Sequence, residues 1–204
     1  MDIELKLFYY IIGSTNKGEY MYLDTDFLRK KHQMIHFFGL GFVQIKLDAN
    51  LRMHFYHPDV APIVNVEEIH NHRYDFISTI MAGKITQELF SIHSGVSDYV
   101  MVEENCKQEK IVKPQRVNVI VVPETVQHFR TGDSYTSLSH EFHRISTDFA
   151  ITRLYRGAVV LENASVIKDK HAEAVCPFSK QLTTEECWEI VDSCINISKA
   201  TVHN

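Results

Sequence analysis

The sequence predicts a mostly β protein, an antiparallel barrel or sandwich with a helical segment near each end. Three observations carry this. Short apolar, β-branched and aromatic runs alternate with turn signals at intervals of roughly eight to twelve residues, the spacing of all-β sandwiches and barrels. A capping box opens a segment of helical period near the C-terminus. The 204 residues, 45% apolar and 23% charged, give ordinary globular size and composition, enough to bury a core without staples.

Residues 3–12 read as a strand or short helix, ended by the loop-forming cluster Gly13 to Gly18. Asp24-Thr25-Asp26 offers an N-cap, and Leu28, Ile35 and Phe38 recur at helical spacing before Gly39 and Gly41, so a helix is expected over 27–38. It would carry His32 and His36 one turn apart, without the H-E-x-x-H pattern of a helical metal site. From Gly41 the period becomes two: Phe42–Leu47 and Leu51–Tyr56 alternate around Asp48-Ala49-Asn50, a hairpin signal. Further strands are expected over Glu68–Ala82, Lys84–Ile92 and Tyr99–Val102. Val117–Val122 and Val126–Arg130 flank Pro123-Glu124 and read as a hairpin. Tyr135–Leu138, Glu141–Ile145 and Ala150–Tyr155 complete the strands. Thr183 and Glu186 form the capping box, after which Cys187, Trp188, Val191, Cys194 and Ile195 follow at steps of three and four. Cys187 and Cys194 lie two turns apart, about 10 Å along the axis, too far to share a metal. This helix is expected to dock its Trp188 face on the β core. The chain thus reads as one domain: an N-terminal helical or strand extension over 1–40, a β core over 42–160 and a helical tail over 176–204.

The net charge of −5 gives no general attraction to nucleic acid. No apolar run reaches the roughly 18 residues of a membrane span. The start, Met1 to Lys6, lacks the basic segment and apolar run of a secretory signal. The four cysteines, Cys106, Cys176, Cys187 and Cys194, form no C-x-x-C pair. A cytoplasmic protein with reduced thiols, no nucleic-acid partner and no membrane partner is expected.

Histidine stands out, with 12 residues. His70 and His72 stand one residue apart before a β-branched run that ends at Gly83. In a strand, residues i and i+2 face the same way, so two imidazoles would stand side by side. Imidazole suits Zn, Cu, Fe and Ni, and two on a rigid strand are half of a divalent metal site. Tyr74 shares their parity. Asp75 has the opposite parity and reads as a structural hydrogen-bonding residue, or as an alternative ligand if a bulge re-aims it.

These residues resemble the cupin superfamily, whose first motif runs G-x5-H-x-H-x3,4-E-x6-G and whose second runs G-x5-P-x-G-x2-H-x3-N. His70-Asn71-His72 is followed by Gly83 at the first motif's interval, and Gly132 precedes His143 by the second motif's eleven positions. The resemblance spans about residues 42–160. Val64 stands in place of the first glycine and Phe76 or Ile77 in place of the glutamate. Leu138, His140 and Thr147 replace the proline, the glycine and the asparagine. The resemblance therefore implies a cupin-type jelly roll with a three-histidine site, His70, His72 and His143, with His128 on a neighbouring strand as the alternative third ligand. Thiol dioxygenases are similar in lacking the glutamate, and Gly83–Phe90 faintly echoes theirs.

Two functional expectations follow. One is a metal-dependent enzyme, an oxygenase or an isomerase, holding one divalent ion and acting on a small polar or anionic molecule. Fe(II) is the favoured ion, with Zn, Mn or Ni as the others, and Tyr74, Tyr135, Arg153 and Tyr155 are the candidate substrate-binding residues. The other is a non-catalytic cupin with a degenerate site that binds a small ligand or a protein partner. A homodimer is a further expectation, since cupins are often dimers.

Overall fold

The computed structural model describes residues 23–60, 62, 69–104, 116–171 and 182–202. The segment 3–12 lies outside them, as do Cys106 and Cys176. The described chain is mostly antiparallel β sheet with a short helix before it and a longer helix after it, as the sequence pattern indicates. In chain order the elements are α1 (Thr25–Lys31), β1 (Met34–Phe38), β2 (Phe42–Lys46), β3 (Leu51–Tyr56), β4 (Ile69–His70), β5 (Tyr74–Glu104), β6 (Arg116–Arg130), β7 (Ser134–Ser137), β8 (Phe142–Ser146), β9 (Ala150–Val159), β10 (Ala164–Asp169) and α2 (Thr184–Val202).

Strand β5 belongs to two sheets. Its first part lies between β9 and β7, and β9 continues through β3 and β2 to β1. Its second part pairs with β6 along one side and with β8 and β10 on the other, and β4 bridges β8 and β10. The corner is Gly83, at φ +82°. A Cβ there would stand 2.2 Å from the Phe149 carbonyl oxygen. Lys84 N donates to that same oxygen at 3.3 Å, and Gly83 O accepts from Thr131 N at 3.1 Å, so backbone fills the corner on both sides. Only glycine combines this φ with this approach.

The first sheet has a dry face. Phe37, Val43, Ile45, Met53, Phe55 and Ile151 are buried on it against Cys187, Trp188, Val191, Cys194 and Ile195 of α2, with Leu28 of α1 at the edge. Each such side chain contributes about 1.5–3 kcal/mol on burial. The helix starts on its capping box: Glu186 N donates to Thr183 Oγ1 at 3.2 Å, and Thr183 N donates to Glu186 Oε2 at 2.7 Å. Arg29 reaches across to Asp192 at 3.0 Å and lies over the Trp188 ring, tying α1 to α2.

Two local expectations are corrected, and one strand is added. The helix expected over 27–38 ends at Lys31, and Met34–Phe38 forms β1 against β2. The aromatic and β-branched residues there gain more from sheet pairing than from continuing the helix. The hairpin expected around Pro123 is one continuous strand, β6, which among the described residues pairs only with β5. Pro123 sits opposite Phe90 at a register shift, where a missing donor costs no ladder bond. Strand β10 was not expected from the sequence; it fills the place beside β4.

Gly83→Ala is expected to cost more than about 2 kcal/mol, because the left-handed conformation alone costs about 1–2 kcal/mol and the carbonyl contact adds to it. Urea unfolding of the two proteins measures this, and a variant as stable as the parent would contradict this account of the corner.

Candidate metal centre

The site begins at β4. Asn71, between the two histidines, is buried, and its amide is tied twice to β10: Asn71 N donates to Ser165 O at 3.0 Å, and Ser165 N donates to Asn71 Oδ1 at 2.6 Å. This ladder-like pairing holds the backbone so that His70 and His72 flank Asn71 on one side, their ring centroids 4.9 Å apart. Strand β8 supplies the third ring. His143 stands directly opposite His70 in the β4–β8 pairing, with ring centroids 4.9 Å from His70 and 5.0 Å from His72. One nitrogen from each of the three rings lies within 4.8 Å of the others.

The Nε2 atoms of His72 and His143 are 2.9 Å apart. Two imidazole nitrogens bound to one ion at about 2.0–2.1 Å and at right angles are about 2.9 Å apart. Two ligands on opposite sides of one ion span about 4.2 Å, close to the 4.8 Å within which all three nitrogens lie. The three-histidine set fits a borderline divalent ion, and no carboxylate joins it among the described residues.

Burial first, and then the neighbouring rings, push His72 and His143 well below the ordinary histidine range. Both are therefore neutral near pH 7, and no proton competes for their lone pairs. Their hydrogen bonds admit two arrangements. Gln87, only 1% exposed, places Nε2 at 3.0 Å from His143 Nδ1, while its Oε1 is buried without a hydrogen-bond partner among the described residues. If the amide donates, His143 carries its proton on Nε2 and donates it to His72. If the amide is turned over, Oε1 accepts from His143 Nδ1–H and the His143 Nε2 lone pair is free either to accept from His72 Nε2–H or, with a His72 lone pair beside it, to face a cation. Gln87 is thus placed to fix the tautomer of His143.

Phe76 closes the remaining side. Its ring is 4.9 Å from His72 and 6.1 Å from His143, so an apolar wall stands where the resemblance puts a glutamate. Asp75 points elsewhere: its Oδ1 accepts from Ser139 N at 2.7 Å, and the Ser139 hydrogen bonds hold its carboxyl below the usual range. His128 is exposed on β6, where its Nδ1 meets Thr86 Oγ1 at 3.1 Å, and it does not join the three rings. Of the four candidate substrate-binding residues, Tyr74 is 5.9 Å from His72 between ring centroids, and Tyr135 packs 6.1 Å from Phe76. Arg153 and Tyr155 are placed on the other face of the first sheet: they pair with Met53 and Leu51, and Tyr155 is 54% exposed. The alternation of β9 decides this, because Thr152 and Leu154 take the inward positions. His32 lies against Trp188 at the helices, while His36 faces inward from β1.

The sequence reading missed Gln87 and a polar wall formed by Gln44, Arg52 and His54. A signal for the wall was present: Gln44, Arg52 and His54 alternate with Val43, Ile45, Met53 and Phe55, which marks two differently filled faces.

No family model matches the chain, and no curated protein matches it. Among solved structures, the crystal structure of Drosophila melanogaster CENP-C bound to CAL1 aligns with 76% of this chain and 95% of that one, at 13% identity and a TM-score of 0.35. Nothing further follows from a likeness of that size.

Gln87→Leu is expected to weaken divalent-metal binding about ten- to a hundredfold, the usual effect of losing the group that orients a histidine ligand. Titration of metal into chelator-treated protein reads this, with cooperative unfolding as the control, and an unchanged affinity would remove Gln87 from the site.

Proposed function

We propose that this chain is a cupin-type metal-binding protein in which His70, His72 and His143 hold one divalent ion, and that it is a metal-dependent enzyme acting on a small polar or anionic molecule. The observation that carries the reading is the convergence of three imidazoles, His70 and His72 at β4 and just after it and His143 on β8, with His143 buried, the other two half-buried, and His72 and His143 neutral. Bound there, Fe(II) would supply open positions for oxygenase chemistry, and Zn, Mn or Ni would supply Lewis-acid polarisation for isomerisation or hydrolysis. The chain's own residues define the rest. Three protein ligands leave coordination positions open, whereas structural sites close all four. Phe76 excludes water from one side of the rings, and Tyr74 extends the ring wall away from His72 toward the first sheet. Fe(II) is the favoured ion on the resemblance to thiol dioxygenases, which also lack the glutamate; the imidazole set itself suits Zn and Ni as well.

A second reading has its own observation. The direct His72–His143 contact at 2.9 Å satisfies both rings without an ion. A non-catalytic cupin that binds a small ligand would need no more than that.

Elemental analysis after purification without chelator separates the two. The metal reading expects close to one equivalent of a transition metal, lost in His70→Ala, His72→Ala and His143→Ala and kept in His128→Ala. Less than about a tenth of an equivalent in the parent protein, unchanged by the triad variants, would leave the non-catalytic reading standing.

A further inference from the structure

Strand β6 presents a long apolar edge. Among the described residues it pairs only with β5, so its other side is open to them over Arg116–Arg130. The stretch from Val117 to Val122 holds five β-branched apolar residues and Asn118, and no charge. Sheet edges are normally blunted by charge, proline or brevity, because their free N–H and C=O groups template another strand. The nearest blunting residue here is Pro123, and it spares this stretch. Ser97 Oγ donates to Val119 O, which places the Val119 backbone on the β5 side. Backbone groups alternate along a strand, so those of Asn118, Ile120 and Val122 face the open side. Pro123 shares the Val119 parity and lacks its donor on the β5 side.

The side chains divide as well. Val119 and Val121 turn into the core of the second sheet with Ile69, Phe90 and Ile167. Ile120 and Val122 lie on the outer face, 41% and 42% exposed. Ile120 is seated over Gly95: a Cβ on that glycine would stand 2.5 Å from Ile120 Cδ1. Arg116 shares the outer face by alternation. Glu124, at the register shift, accepts from Ser91 Oγ, and Ser91 pairs with Val122, so its carboxylate stands on the outer face too. The outer edge thus runs from a cation through an apolar centre to an anion, with Arg116 and Glu124 each four residues from Ile120.

An edge in this order is complementary to itself. Laid antiparallel to a second copy with the two-fold axis at Ile120, it sets Ile120 against Ile120, Asn118 against Val122, and Arg116 of each copy against Glu124 of the other. Both charges are then paired, and the outward backbone groups find partners. Moving the axis to Val122 would set Arg116 against His128 and Glu124 against Ile120, leaving the carboxylate opposite an apolar side chain. Charge therefore selects one register. A surface that meets itself across a two-fold axis closes at two copies. We infer that β6 is the docking edge for a second copy of this chain, joined antiparallel about Ile120 into one continuous sheet. The contact uses the edge alone and needs no metal.

Sedimentation velocity of the full chain over a range of concentrations reads the contact, and a reversible dimer is expected. Arg116→Glu and Glu124→Arg each set like charges against one another at both ends and should weaken dimerisation about tenfold, while the double variant R116E/E124R should recover most of that loss. Ile120→Lys brings two ammonium groups together on the axis and should give a monomer. Residues opposite each other in a hydrogen-bonded pair stand about 5.5 Å apart at Cα, within disulfide reach. Oxidised Ile120→Cys should therefore give more linked dimer than the parent or Val126→Cys, whose residue meets no copy of itself. Each changed position is exposed, and cooperative urea unfolding checks the fold. If Ile120→Lys does not fold, the charge reversals decide. The inference is overturned by a parent that stays monomeric, which would assign the edge to another partner or to none. It is equally overturned by a dimer that Ile120→Lys leaves intact, or by single charge reversals that weaken nothing or that the double variant does not rescue.

Discussion

Everything at the site depends on the bend at Gly83. Strand β5 is shared by two sheets, and the bend is what lets a single strand hold Tyr74 and Phe76 in one and Gln87 in the other. The second part of β5 sets the register of β8, where His143 lies opposite Leu89, and β8 sets His143 opposite His70 on β4. Because side chains alternate with a period of two, a slip of one residue at any of these pairings would turn an imidazole out of the cluster. The tie between Asn71 and Ser165 guards the remaining register, that of β4 against β10.

The two faces of the first sheet do different work. The outer face is filled by aliphatic and aromatic side chains under α2 and supplies the dry burial that stabilises the fold. The inner face carries Gln44, Arg52, His54 and Thr152, which contribute little to stability and need partners to be tolerated at all. Most of them have partners. The buried polar atoms with no hydrogen-bond partner among the described residues include Arg52 Nε, on this face, and Gln87 Oε1, behind His143.

Much of this was legible in the residues. Period-two runs from Phe42 onward and the Thr183–Glu186 capping box indicate the β core and its closing helix, and the interval from His72 to Gly83 marks the corner as well as the histidine pair. What was not legible depended on long-range pairing. Met34–Phe38 has helical spacing of its apolar residues and becomes a strand only because β2 offers an edge. Pro123 reads as a turn and is tolerated in a strand only because β6 lies at the edge of its sheet. Arg153 and Arg52 are equally plausible inward arginines in isolation, and only the β3–β9 register separates them, by pairing Arg153 with Met53 and Arg52 with Leu154. Gln87 carries no motif and is recognised only by the ring nitrogen it faces.

The central claim is that three imidazoles from two distant segments hold a single ion. X-ray absorption at the metal edge of the purified, metal-loaded chain tests this most directly. The account predicts a first shell containing three imidazole nitrogens at about 2.0–2.2 Å, with light-atom solvent ligands in the remaining positions and no sulfur. A shell of oxygen alone, or one containing sulfur, would place the ion elsewhere and contradict it.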